Sequence, residues 1–195
     1  MKRPLLIFAI LFTLLLILLQ NFQAQWVFLR TAIDTGDYWR LLSSQFVHTN
    51  WNHVFLNLVG FWLFIALCHS VIHLAWLMLN IILIALGIGF LLYWQESYLQ
   101  WYAGFSGVVY GLFIMGGLQL ILARDYLTGI GLIALILVKL GLDAFQGGNP
   151  LSEKLIEAPV IEAAHYYGIA LAALLNLPIV GRTFYRHLNN PPPAI

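Results

Sequence analysis

The most constraining feature of this sequence is a series of apolar runs, each close to the roughly 17 to 25 helical residues that cross a bilayer. The six runs cover residues 4–21, 53–72, 74–94, 104–123, 127–142 and 161–181. Backbone groups in lipid have no partner outside the protein, and the alternating pattern of a membrane barrel is missing here, so each run is predicted to be a helix. The sequence therefore predicts an all-α polytopic membrane protein whose residues 1–195 form a single six-helix domain.

Charge is too scarce for a soluble exterior. Only 9% of the residues are charged and 62% are hydrophobic, whereas soluble chains average about 25% charged residues. The nine basic and eight acidic residues give a net charge of +1, which argues against a nucleic-acid partner. Disorder and a cytosolic enzyme are excluded on the same grounds, and the lipid bilayer becomes the first expected partner.

The basic residues predict the orientation. Five of the nine lie at the two ends of the chain and after the fourth run, at Lys2, Arg3, Arg124, Arg182 and Arg186. Arg30, Arg40 and Lys154 fall on the opposite side, together with most of the acidic residues. Positively charged loops stay in the cytoplasm, so both termini are expected there, with the opposite helix ends facing outward. The first run also fits a signal peptide, but no cleavage site of the Ala-x-Ala kind follows it.

Polar residues inside membrane helices are costly, and each needs a reason. His53 and Asn57 are four residues apart, which places them on one helix face. Ser106 begins the fourth run and His165 lies in the sixth. All four are expected near the outer ends of their helices.

Small residues predict how these helices meet. Gly107 and Gly111 form one stripe, and Ala164, Gly168 and Ala172 form another, each allowing close backbone approach. Packing of the two stripes would bring Ser106 to His165 as a nucleophile and its base. Oxyanion donors would come from the amides at the helix start and from the His53 and Asn57 side chains.

Simpler readings stay open for each residue alone. Ser106 could bond to its own preceding turn, His165 could be a packing residue, Asn57 could join two helices, and Tyr110 could belong to the core. His48, His53 and His165 could in principle share a metal, but the His-Glu-x-x-His spacing is absent, so no metal and no cofactor are expected. Glu162 could orient His165, although its place at a helix entrance favours a dyad.

Taken together, these residues resemble the rhomboid intramembrane serine proteases. The matching motifs, in family order, are Trp39-Arg40, His48-x4-His53-x3-Asn57, Gly104-x-Ser106-Gly107 with Tyr110, and Ala164-His165-x2-Gly168.

The resemblance implies a six-helix fold with Ser106 as nucleophile and His165 as general base. It also implies an oxyanion hole made by His53, Asn57 and the Ser106 amide. The supporting residues it implies are His48, Gly104, Gly107, Tyr110 and Gly168, with Trp39 and Arg40 in a membrane-lying loop. Hydrolysis of a transmembrane substrate would occur in a cavity just below the outer surface, under a cap formed by residues 144–160.

The motif His-Thr-Asn-Trp-Asn-His at residues 48–53 is similar to the corresponding motif of the rhombosortase branch. Rhombosortases are short bacterial enzymes that cleave carboxy-terminal Gly-Gly sorting segments from exported proteins. This similarity implies a bacterial inner-membrane protein whose active site opens to the periplasm. One departure is Ala172, where many rhomboids have glycine. The competing hypothesis is a rhomboid-like protein that binds membrane helices without cutting them, although such proteins usually lack the serine or the histidine.

Overall fold

The computed structural model describes residues 2–189 and is mostly helical. The α-helices are α1 (Arg3–Leu19), α2 (Gln23–Trp26), α3 (Arg30–Asp34), α4 (Arg40–Ser43), α5 (Trp51–Cys68), α6 (Leu74–Gln95), α7 (Ser106–Leu122), α8 (Tyr126–Gln146), α9 (Pro150–Ile156) and α10 (Glu162–Asn189). Two short strands, β1 (Phe28–Leu29) and β2 (Trp101–Tyr102), pair antiparallel. Short 3-10 turns cover Gln20–Phe22 and Ser44–Phe46.

Each of the six predicted runs lies on one long helix. These are α1, α5, α6, α7, α8 and α10. The largest difference in bounds is at α10, which continues past the predicted residue 181 to Asn189. The tail from residue 190 onward, including the prolines, lies outside the described residues.

Within the described residues, four helical segments are long and apolar enough to cross a membrane: Arg3–Trp26, Trp51–Cys68, Leu74–Gln95 and Tyr126–Gln146. Helix α7 is apolar but shorter, at 17 residues. It is also the most enclosed helix, because 13 of those residues are buried. Helices α5, α6, α8 and α10 surround it, so α7 forms the centre of the fold.

Polar residues at the helix ends set where the helices begin. Asn50 caps α5 by accepting from the His53 amide at 2.9 Å, and Asp125 caps α8 by accepting from the Thr128 amide at 3.2 Å. Asn149 caps α9, whose first residue is Pro150. Each cap satisfies an amide that has no partner inside its helix.

The segment between α1 and α5 folds against the C-terminal end of α6. Phe28 pairs with Tyr102 and Leu29 with Trp101 in the two-stranded sheet. The Arg30 guanidinium donates to four carbonyl oxygens in and after the last turn of α6, at distances from 2.8 to 3.3 Å. The acceptors are Leu92, Tyr93, Glu96 and Leu99. One side chain therefore satisfies several carbonyls that the helix end leaves without partners.

A buried amide pair fixes α10 against α6 further along the bundle. Asn176 Nδ2 donates to Asn80 Oδ1 at 2.8 Å, and Trp76 Nε1 donates to Asn176 Oδ1 at 2.9 Å. Asn80 donates in turn to the Trp76 carbonyl at 2.9 Å. In a low-dielectric interior, a network with satisfied partners specifies the register of the two helices.

Candidate active site

Ser106 stands at the first position of α7, after a turn that only glycine adopts readily. Gly104 has φ +148°, a backbone conformation that L side chains rarely take. Its amide donates to the Ser44 carbonyl at 3.0 Å, and its carbonyl accepts from the Tyr102 hydroxyl at 2.8 Å. The turn is therefore held from two sides, and it delivers Ser106 to a helix N-terminus where backbone amides are free to donate.

Close packing of α7 and α10 brings His165 to the serine. A Cβ at Gly168 would overlap the Gly107 carbonyl oxygen, and a Cβ at Gly111 would lie 2.7 Å from the Gly168 carbonyl oxygen. The helix packing predicted from the two small-residue stripes is confirmed. At this separation, Ser106 Oγ lies 2.9 Å from His165 Nε2, within hydrogen-bonding distance.

The His165 ring is held by stacking. Tyr110, one turn after the serine, lies parallel to the imidazole. The other ring nitrogen, Nδ1, is buried and has no hydrogen-bond partner among the described residues. Glu162 accepts instead from the Tyr166 hydroxyl at 3.4 Å. The arrangement is a serine–histidine pair with an aromatic support and without a bonded third acid.

His53 and Asn57 lie on α5, on the wall beside the serine turn. A Cβ at Gly104 would lie 3.1 Å from His53 Nε2, so this nitrogen faces the turn that carries Ser106. Asn57 Nδ2 donates to the His53 carbonyl at 2.9 Å, and its Oδ1 has no described partner. Nitrogen-bearing side chains therefore line the space next to the serine.

His48 packs behind His53 and away from the cavity. It is fully buried, and its ring meets the His53 ring edge-on at 5.0 Å. Burial and the neighbouring His53 lower the pKa of His48 well below its ordinary value, so the ring is neutral. Its backbone is anchored separately, because the Gln20 side chain bonds both the His48 amide and its carbonyl at 2.9 Å. Among the residues whose side chains the structure describes, no group of three or more His, Cys, Asp or Glu residues is placed to hold a metal ion.

A single cavity of about 740 Å³ is lined by Ser106, His165, Tyr110, His53 and Asn57. The rest of its lining is mainly apolar and includes two leucines from α5 and three apolar residues from α8, namely Leu56, Leu63, Leu132, Leu135 and Ile136. A cavity of this size and lining accommodates an apolar peptide segment. Trp39 and Arg40, in contrast, lie outside it. Arg40 bonds Asp37 and the Val27 carbonyl and covers the Trp39 ring, which organises the first loop.

An ion pair on α8 also lines this cavity. Lys139 Nζ lies 2.5 Å from Asp143 Oδ2, one turn nearer the C-terminal end of α8. Asp143 Oδ1 accepts from Asn149 Nδ2 at 3.1 Å, which ties α8 to the start of α9. The spacing of four between a cation and an acid was the sequence signal for this pair.

Helix α9 closes over the cavity from α8 to α5. It lies within residues 144–160, the segment that the resemblance implies as a cap. Its last carbonyls accept from three side chains before and at the start of α5. Thr49 Oγ1 donates to Ile156 at 2.7 Å, while Asn50 and Asn52 donate to Leu155 at 3.0 and 3.2 Å. We call this set of contacts the α9 latch.

The sequence of the chain matches a known protein family over most of its length. Residues 35–182 match the rhomboid domain, so the match includes every residue lining the cavity. No curated protein matched the chain.

Proposed function

The chain belongs to the rhomboid family and is an integral membrane protein, and from this premise we propose that it is a serine endopeptidase that cleaves transmembrane segments. The observation that carries the proposal is the 2.9 Å contact between Ser106 Oγ and His165 Nε2 inside an apolar cavity. A serine hydroxyl is a weak nucleophile until a neutral imidazole takes its proton. The alternative of a non-catalytic helix binder requires no such contact.

In the proposed reaction, Ser106 Oγ attacks the carbonyl carbon of the scissile peptide bond while its proton moves to His165 Nε2. The tetrahedral intermediate then collapses, and the same proton passes to the departing amine nitrogen. Water next attacks the acyl-enzyme, again giving a proton to His165, which returns it to Ser106 as the carboxylic acid product leaves and loses its own proton to water. The Tyr110 ring keeps the imidazole in place during both transfers.

Negative charge on the substrate oxygen would be stabilised from two directions. The Ser106 amide points from the N-terminus of α7, where the helix dipole favours an anion. His53 and Asn57 face the same cavity from α5. Asn57 has two amide hydrogens and uses one for the His53 carbonyl, so one remains for the oxyanion. Gly104, Gly107 and Gly168 act through the backbone, since they allow the turn and the close helix contact.

We further propose that α1, α5, α6, α7, α8 and α10 all cross the membrane, with both termini in the cytoplasm. The 28 residues of α10 exceed the length that a span needs, and α7 is surrounded by other helices, so it requires less hydrophobic length facing lipid. This orientation places Ser106, His53 and the α9 latch at the periplasmic end of a bacterial inner-membrane protein. Residues 1–195 then form one proteolytic domain.

The substrate is proposed to be an exported protein whose carboxy-terminal tail holds Gly-Gly, an apolar helix and basic residues. The support is the resemblance of residues 48–53 to rhombosortases, together with the apolar walls from α5 and α8. Glycine favours this use because it lowers the cost of unwinding a helix before cleavage. Deleting the protein should leave such a tail uncut on a co-expressed candidate. Normal processing in the deletion strain would contradict the rhombosortase assignment.

The serine–histidine mechanism is tested with Ser106→Ala in the full-length protein in detergent or lipid nanodiscs. Cleavage of a transmembrane substrate and labelling by a fluorophosphonate probe should both be lost, with the unfolding midpoint unchanged. Ser152→Ala is the matched control, because Ser152 lines the same cavity and its hydroxyl has no described histidine partner. Cleavage that persists in the folded Ser106→Ala protein, or absence of labelling in the folded wild type, would refute the mechanism.

A further inference from the structure

Thr49 connects the closed α9 helix to His53 through one hydroxyl group. Thr49 Oγ1 lies 2.7 Å from the Ile156 carbonyl oxygen at the end of α9, and 3.1 Å from His53 Nδ1. These partners lie 107 and 4 residues away in the sequence. The same oxygen atom therefore contacts the helix that covers the cavity and a histidine that lines it.

Counting hydrogens decides the direction of both bonds. A threonine hydroxyl has one hydrogen to donate, whereas a carbonyl oxygen can only accept. The hydrogen of Thr49 must therefore go to Ile156, and the oxygen of Thr49 is left as an acceptor toward His53. The contact with Nδ1 is a hydrogen bond only if Nδ1 carries the ring hydrogen.

A competing contact is weaker. The Thr49 backbone amide also faces His53 Nδ1, at 3.5 Å, and it would favour an Nδ1 without hydrogen. That distance is at the outer limit for a nitrogen–nitrogen hydrogen bond, whereas 3.1 Å is an ordinary separation. The hydroxyl therefore dominates while α9 is latched. When the Ile156 carbonyl moves away, the hydroxyl can turn and donate to Nδ1, and both contacts then favour an Nδ1 without hydrogen.

The position of the ring hydrogen matters at the opposite nitrogen. His53 Nε2 faces Gly104 and the turn that carries Ser106. A neutral imidazole with hydrogen on Nδ1 has a bare Nε2, which can only accept. Such a ring cannot donate to an oxyanion at Ser106, whereas the other tautomer can.

We propose that Thr49 is a positioning residue that makes the hydrogen-bond donor of His53 depend on the α9 latch. While α9 is latched, Thr49 keeps the ring hydrogen of His53 on Nδ1. His53 Nε2 then has no hydrogen to donate to an oxyanion. Release of α9 turns the Thr49 hydroxyl toward Nδ1, moves the ring hydrogen to Nε2, and completes the oxyanion hole. A substrate that displaces α9 would then complete the oxyanion hole in the same step. The functional meaning of this inference rests on the proposed role of His53 in hydrolysis. The position of the ring hydrogen does not depend on that role and can be measured separately.

The test is the tautomer of His53 in the full-length protein in nanodiscs at neutral pH, read from the nitrogen-15 signals of its ring. Assignment comes from the signals that disappear in His53→Gln. The resting wild type should show hydrogen on Nδ1 and a bare Nε2. Thr49→Ser, which keeps the hydroxyl, should match it. Thr49→Val leaves only the backbone amide facing Nδ1 and should move the hydrogen to Nε2.

Two results would overturn the inference, and neither depends on proteolysis. One is a wild-type His53 ring with a bare Nδ1 or with hydrogens on both nitrogens, which is decisive even if a variant fails to fold. The other is a folded Thr49→Val protein with an unchanged tautomer. Asn52→Ala is the latch control, because it removes one contact with α9 and leaves Thr49 next to His53. It should shift the hydrogen partly toward Nε2, because a weaker latch lets the Ile156 carbonyl leave Thr49 more often.

The proposed function can fail independently. If Ser106→Ala still cleaved, the role of His53 Nε2 as an oxyanion donor would be rejected. The tautomer difference between wild type and Thr49→Val would remain. Conversely, loss of cleavage in Ser106→Ala together with a bare Nδ1 in the wild type would support the protease proposal and reject the proposed role of Thr49.

Discussion

The phenol ring of Tyr110 lies parallel to the imidazole of His165, with 4.3 Å between the ring centroids and 7° between the planes. The Tyr110 hydroxyl has no hydrogen-bond partner among the described residues. The contact between the rings is therefore made by the aromatic face, and the hydroxyl adds little to it.

Replacing Tyr110 separates the ring from its hydroxyl. Tyr110→Phe should keep kcat near the wild-type value, whereas Tyr110→Leu should lower it about 2- to 10-fold, the equivalent of one aromatic stacking interaction. The measurement is steady-state cleavage of a transmembrane substrate. A Phe variant as impaired as the Leu variant would assign the effect to the hydroxyl.

Asn57→Ala tests the proposed oxyanion hole. Loss of one such donor should reduce kcat by about two to three orders of magnitude with little change in KM, because the bond strengthens only as charge develops. Asn21→Ala is the control, since Asn21 bonds only carbonyls at the exposed end of α1. An increase in KM at constant kcat would instead mean that Asn57 contributes to substrate binding.

Gly168→Ala tests the close approach of α7 and α10. The new methyl group would overlap the Gly107 carbonyl, so the helices must separate, with an expected cost of about 1 to 3 kcal/mol in unfolding free energy. Gly131→Ala meets no atom within 4 Å and should be neutral or stabilising, because alanine favours helix. Thermal unfolding of both variants in the same detergent makes the comparison. Equal midpoints would mean that the contact is looser than the structure shows.

Acid should destabilise the protein through His48. Burial, with a smaller effect of His53, lowers the pKa of His48 in the fold below its unfolded value of 6.5. Its contribution to stability is therefore complete above pH 6.5 and declines as the pH falls below it. His48→Phe should flatten this part of the unfolding profile, while its backbone bonds to Gln20 remain. His73→Asn, at an exposed loop position, is the control. A profile unchanged in His48→Phe would assign the acid sensitivity elsewhere.

Much of the fold could be read from the sequence, because its signals are local. Apolar runs predict helices by length alone, and the stripes around Gly107 and Gly168 predict which two helices touch. These stripes also explain why Ser106 and His165 could be paired without a structure. Each residue contributes a chemical type and a spacing, and both are visible along the chain.

The α9 latch and the Arg30 contacts could not be predicted in the same way. Their acceptors are backbone carbonyls, which every residue carries and which therefore leave no mark in the sequence. Thr49 reaches a carbonyl 107 residues away, so only the folded chain shows the pairing. The pair of Lys139 and Asp143 is different, because its spacing of four is visible in the sequence. Its place beside the cavity is not visible, because that depends on how α8 packs.

The Arg30 contacts also bear on the order in which the chain is completed during synthesis. Residues 28–30 are made well before the carbonyls and the strand with which they pair, which lie at residues 92–102. Strand β1 and the Arg30 donors therefore have none of these partners until the two long helices α5 and α6 have been synthesised. A segment that leaves the ribosome early thus reaches its final structure late, and until then its strand edge is open to incorrect pairing.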